Sequence, residues 1–207
     1  MSTRRDDVRR QALQNLKDYE VLMVGGHFDY GNGYHGAVYL NPHRLFRQPS
    51  AIWRFAQDVI DVLPDTVIGT TEVVAGPVMG GALLAHTVAG LMDGKRSLTL
   101  PQCSFAPISQ DTDGSLVIRE AYKGVLRDKN VLLVDDVRNT GKTFEKARGL
   151  IEAAGGHVIA TAQIYDRLES IVDLGVPNYA LAEYKAPDNE PADACSMCQR
   201  GQPITKF

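Results

Sequence analysis

The stretch Val131-Leu132-Leu133-Val134-Asp135-Asp136-Val137-Arg138-Asn139-Thr140-Gly141-Lys142-Thr143 restricts this chain more than any other. A continuous apolar run from Val131 to Val134 marks a strand buried on both faces, as in a parallel sheet covered by helices. Two carboxylates follow at once, then a short polar loop. A helical pattern then runs from Thr143 to Ala154 and stops at Gly155-Gly156. In parallel sheets, ligands gather beyond the carboxyl ends of the strands. The next helix start offers unpaired N–H groups and the positive end of its dipole, which suits an anion. Gly141 permits close backbone approach, and Thr140 and Thr143 add hydroxyl donors. Asp135 and Asp136 suit sugar hydroxyls or Mg²⁺ rather than phosphate. Such a site holds a ribose on the acids and a phosphate on the loop. The plainer alternative, that the acids only cap and solvate a helix start, accounts poorly for two adjacent carboxylates between an apolar strand and Thr-Gly-x-Thr.

The rest of the chain alternates in the same way. Arg4 to Tyr19 and Pro49 to Leu63 have helical spacing, the second ending at Pro64-Asp65. Val21 to Val24 is a short apolar run that Gly25-Gly26 is expected to break. His27 to Asn41, rich in glycine and aromatics, suits a hairpin or flap. Glu72 to Ala75, Leu98 to Phe105, Leu116 to Ile118 and Val158 to Tyr165 read as strands, Gly80 to Met92 as a helix, and Val172 to Tyr184 as a helix end and strand. Ser109 to Gly114 reads as a turn, and the polar tail from Pro187 as a surface segment. The expected fold is α/β, a mainly parallel sheet flanked by helices with a small hood or flap. The expected division is 1–64 for the N-terminal helix, hood segment and second helix, 65–186 for the α/β core, and 187–207 for a tail that completes the hood or lies on the surface.

Composition narrows the function. With 22 Lys and Arg against 25 Asp and Glu, net charge −3, the chain lacks a strongly basic coat, which argues against a nucleic-acid partner. No run approaches the roughly 20 apolar residues that span a bilayer, and the charged start lacks a signal-peptide pattern, so no membrane partner is expected and the cytoplasm is the default location.

Several competing motifs fail on inspection. Gly141-Lys142-Thr143 resembles the end of a nucleoside-triphosphate loop, but the first glycine of that loop falls on Asp136, whose carboxylate repels phosphates. Gly31-Asn-Gly33-Tyr-His-Gly36 lacks the long strand and helix of a dinucleotide fingerprint. Cys195-x-x-Cys198 supplies two of the four ligands a zinc site needs, so it reads as a surface turn with free thiols. His35, His43, His86 and His157 stand alone and read as packed or exposed side chains.

Val131 to Thr143 resembles the signature of the type I phosphoribosyltransferases, which bind phosphoribosyl pyrophosphate (PRPP). The resemblance implies that Asp135 and Asp136 hold the ribose hydroxyls and that Arg138, Asn139, Thr140, Gly141, Lys142 and Thr143 cradle the 5-phosphate. It implies a pyrophosphate loop at Gly76, Pro77, Val78, Met79, Gly80 and Gly81, itself a strand, glycine turn and helix start. Arg119 and Lys123 would join the acids in catalysis from a mobile loop. Tyr165-Asp166-Arg167, the segment Phe28 to Asn41 and the Cys-x-x-Cys tail resemble the members that use orotate. There Arg167 would meet the base carboxylate, beside Phe28 and Tyr34. The implied reaction moves ribose 5-phosphate from PRPP to orotate with Mg²⁺, held mainly by PRPP oxygens, in a cytoplasmic homodimer. Ile108-Ser109-Gln110 lacks the lysine or arginine those members commonly carry there, and Met79-Gly80-Gly81 lacks their Tyr-Lys-Gly. Another base, as in purine salvage, or a non-catalytic PRPP or nucleotide sensor are the alternatives.

Overall fold

A computed structural model describes residues 3–96 and 101–206. The chain opens with α1 (Arg4–Asp18), then the hairpin β1 (Leu22–Asp29) and β2 (Tyr34–Leu40). Three helices follow: α2 (His43–Phe46), α3 (Pro49–Val62) and α4 (Asp65–Thr70). The central part runs β3 (Val73–Pro77), α5 (Gly80–Lys95), β4 (Ser104–Gln110), β5 (Leu116–Val117), α6 (Glu120–Leu126), β6 (Asn130–Arg138), α7 (Lys142–Ala153), β7 (His157–Asp166) and β8 (Asn178–Glu183). The tail adds β9 (Glu190–Pro191), a single 3-10 turn, α8 (Ser196–Gln199) and β10 (Thr205–Lys206).

The main sheet has the order β5-β4-β3-β6-β7-β8, parallel throughout except for the short β5. Period-2 alternation sorts its side chains between two cores. Leu132 and Val134 of β6 face the core shared with α1, α3 and α5, while Val131 and Leu133 face the one shared with α6 and α7. All four are fully buried, so the apolar run of β6 reflects two covered faces. The chain leaves β3 for β4 on one side and reaches β6 on the other. The carboxyl ends of β3 and β6 therefore flank a switch point, where an open parallel sheet leaves a crevice.

A second sheet, β10-β1-β2-β9, carries the hairpin and the tail. Gly25-Gly26 does not end β1. Gly25 takes φ +74°, the register shifts between Val24 and Phe28, and the strand continues through a bulge. Four other readings change. Residues 109–110 belong to β4, whose turn to β5 begins one residue later. The charged span before Asn130 contains α6, anchored by buried Leu126. Helix α4 follows Pro64, and residues 167–177 form no helix. The strand expected from Leu98 lies partly outside the described residues.

Candidate active site

Asp135 and Asp136 end the apolar part of β6 and project toward the start of α5. A Cβ on Gly80 would stand 2.2 Å from Asp136 Oδ2, and one on Gly81 would stand 2.7 Å from Asp135 Oδ1. The glycines of the β3–α5 turn thus leave room for the acids. The acids are also tied back locally: the amide of Asp136 donates to Asp135 Oδ1 at 2.9 Å, and that of Val137 to Asp136 Oδ1 at 2.8 Å. Burial, with the neighbouring Asp136 charge, holds the Asp135 carboxyl well above the usual carboxylate range.

Three cavities meet at this pair. The smallest, about 100 Å³, is enclosed by Asp135 and residues 137–141 with Thr143 and Phe144. It sits at the mouth of α7, whose N-cap is Gly141 at φ +84° and which no side chain caps. Its first N–H groups have no partner within the helix and suit an anion. Arg138 is engaged at one end, donating to Ser170 Oγ at 2.8 Å and the Val172 carbonyl at 3.2 Å, with Asp166 at 3.9 Å. Among the described residues its Nε is buried without a partner beside this cavity.

The second cavity, about 410 Å³, is bounded by Pro77 to Gly80, both acids, Gln110, Leu116, Lys142, Lys146 and His43. Lys142 therefore faces this side rather than the small cavity. Lys146, one helical turn on, and His43 belong to no sequence motif; the i, i+4 spacing on α7 was the available signal. Arg119 and Lys123 are not brought here. Arg119 is exposed at the start of α6, and Lys123 pairs with Glu120 at 2.7 Å on that helix.

The third cavity, about 500 Å³, lies between the two sheets, with Asp136, Val137, Asn139, Tyr165 and Arg167 on one wall and Tyr30, Asn32, Tyr39 and Asn189 on the other. Arg167 lines this cavity and pairs with Glu169 at 3.0 Å. Asp166 steadies its turn by accepting from the Leu168 amide at 2.8 Å. Tyr165 donates to the Tyr184 carbonyl at 2.9 Å, and burial pushes its phenol up to about 12, so it stays neutral. Phe28 and Tyr34 do not line this space. Phe28 is buried over Gly26 against Tyr39, and Tyr34 is 47% exposed. Tyr30 and Tyr39 take that place.

A parallel sheet with an acid pair at its switch point and an uncapped helix mouth beside it is the architecture of an α/β protein that binds phosphorylated sugars or nucleotides. The chain belongs to the phosphoribosyl transferase domain family, whose model matches residues 48–179. It is 30% identical over 177 residues to the orotate phosphoribosyltransferase of Erythrobacter litoralis, covering 86% of each chain. Its fold is similar to the crystal structure of orotate phosphoribosyltransferase from Aeropyrum pernix (TM-score 0.62, 21% identity, 82% of this chain and 92% of that one). It is also similar to the Mycobacterium tuberculosis orotate phosphoribosyltransferase in complex with PRPP (TM-score 0.59, 14% identity, 88% and 91%). No described helix is long and apolar enough to cross a membrane.

Proposed function

We propose that the chain transfers ribose 5-phosphate from PRPP to orotate, releasing pyrophosphate and forming orotidine 5-phosphate. The observation that carries this is the meeting of three cavities at Asp135 and Asp136. The pair accepts hydrogen bonds from the ribose hydroxyls. The 5-phosphate enters the small cavity, where the N–H groups of α7 and the Thr140 and Thr143 hydroxyls donate to it. Pyrophosphate lies on the Pro77–Gly80 side, where Lys142 and Lys146 meet the charge that grows on the leaving oxygens. Arg167 forks onto the orotate carboxylate while Tyr30 and Tyr39 cover the ring. A ring nitrogen held in line with C1 then displaces pyrophosphate through an oxocarbenium-like state, so positioning and charge stabilisation supply most of the acceleration.

Two adjacent carboxylates on the wall of the second cavity form an oxygen-rich site that fits Mg²⁺. The ion would neutralise pyrophosphate charge, held mainly by PRPP oxygens with these acids beside it. Exposed Val78, Met79 and Leu83, next to the pyrophosphate side, support a homodimer through this face.

Incubation with PRPP, Mg²⁺ and a panel of bases tests the reading. Pyrophosphate release with orotate supports it. Release only with a purine would assign another base, and PRPP binding with no release from any base would make the chain a sensor.

A further inference from the structure

The tail cysteines lie in a four-residue cluster that the active site does not use. Cys195 is buried rather than on a surface turn, and His27 of β1 and His35 of β2 close around it and Cys198. The four ligand atoms all lie within 4.8 Å of one another. His27 Nε2 stands 3.3 Å from His35 Nδ1, 3.5 Å from Cys195 Sγ and 3.7 Å from Cys198 Sγ, and His35 Nδ1 stands 3.4 Å from Cys198 Sγ. A tetrahedral zinc with ordinary bond lengths separates two nitrogens by about 3.4 Å and a nitrogen from a sulfur by about 3.6 Å. The observed spacings match these values.

The outer nitrogens are arranged for the same purpose. His27 Nδ1 is 2.9 Å from the Gln202 carbonyl, which can only accept, so Nδ1 carries the proton and the Nε2 lone pair points inward. Asp29 Oδ1 lies 4.0 Å from His35 Nε2 and favours the proton there, leaving the Nδ1 lone pair inward. Two nitrogen lone pairs then face each other beside two sulfurs. A cation among them removes that repulsion. With both thiols deprotonated, a divalent ion in this set is neutral overall, as a buried site requires.

We propose that His27, His35, Cys195 and Cys198 bind one zinc ion, and that this ion fastens the tail to the β1–β2 hairpin. Four protein ligands leave no open position, so the ion is structural. The small sheet needs such a clasp: within 187–206, only Cys195 and Met197 are buried, too little to hold the tail by apolar contact. Asn189 of the tail and Tyr30 and Tyr39 of the hairpin region line the third cavity, so the ion also braces that wall.

Protein purified from zinc-replete medium is expected to carry one zinc per chain by elemental mass spectrometry. Cys198→Ser, at an exposed position, should fold and lose the metal, whereas Cys103→Ser should keep it. Cobalt added to metal-free chain should give the intense absorption of a tetrahedral thiolate site, and a chelator should lower the melting temperature of the parent but not of Cys198→Ser. A metal-free parent, a disulfide between Cys195 and Cys198, zinc retained in Cys198→Ser, or a weak octahedral cobalt spectrum would each overturn the proposal. These readouts need neither PRPP nor turnover, so they stand or fall separately from the proposed reaction.

Discussion

Asp135 carries the sharpest consequence of the site's physics. Its folded pKa is raised, so the native chain binds a proton that the unfolded chain releases near pH 4. The contribution is favourable at low pH and is lost as pH rises from that value through the folded pKa. Asp135→Asn keeps the acceptor for the Asp136 amide and removes the titration. Thermal melts at pH values rising from about 4 should show the variant holding its stability where the parent declines. An equal decline in both would mean that Asp135 is an ordinary carboxylate. Arg167→Ala should weaken orotate binding about 10- to 100-fold, the worth of a charged hydrogen bond, while leaving PRPP affinity unchanged by calorimetry. Loss of both affinities would place Arg167 elsewhere. Arg167 and the acid pair stood out in the sequence because each follows an apolar run. Tyr30 and Tyr39 did not, because the bulge at Gly25-Gly26 decides which hood aromatics turn inward, and nothing in the run of residues fixes that bulge.

Helix α5 separates propensity from packing. Gly90 has no neighbour within 4 Å of an added Cβ, so Gly90→Ala should stabilise the chain by about 0.5–1 kcal/mol through backbone entropy. Gly81→Ala gains the same propensity, but its Cβ would stand 2.6 Å from Pro77 Cδ and 2.7 Å from Asp135 Oδ1. It should destabilise the fold and weaken ribose-phosphate binding. Denaturant melts of the two variants are expected to shift in opposite directions; a shared sign would show that the turn has slack. Strand β6 and helix α7 were readable because pattern, glycine loop and helix stop agree. Helix α6 was hidden by Glu120, Lys123 and neighbouring charges, with only Ile118 and Leu126 buried around it. Lys146 was hidden too, because a lysine on an exposed helix face ordinarily meets only solvent.

Over the whole molecule, the main sheet carries the acid pair and the α7 mouth, and the small sheet closes the third cavity. Alternation of strands and helices made the first legible, since a buried parallel sheet constrains every residue of β6. The second depends on contacts between residues 27–40 and the tail, far apart along the chain, which local pattern does not encode. That is why His27 and His35 could not be paired with Cys195 and Cys198 in advance. The meeting of the two sheets matters only if the acid pair at their junction grips PRPP. Calorimetric titration of PRPP with Mg²⁺ into the parent and into Asp135→Asn/Asp136→Asn tests this most directly. Binding should fall about 100-fold or more in the double variant while its circular dichroism stays that of the parent. Parent-like affinity in a folded double variant would contradict the assignment of the site.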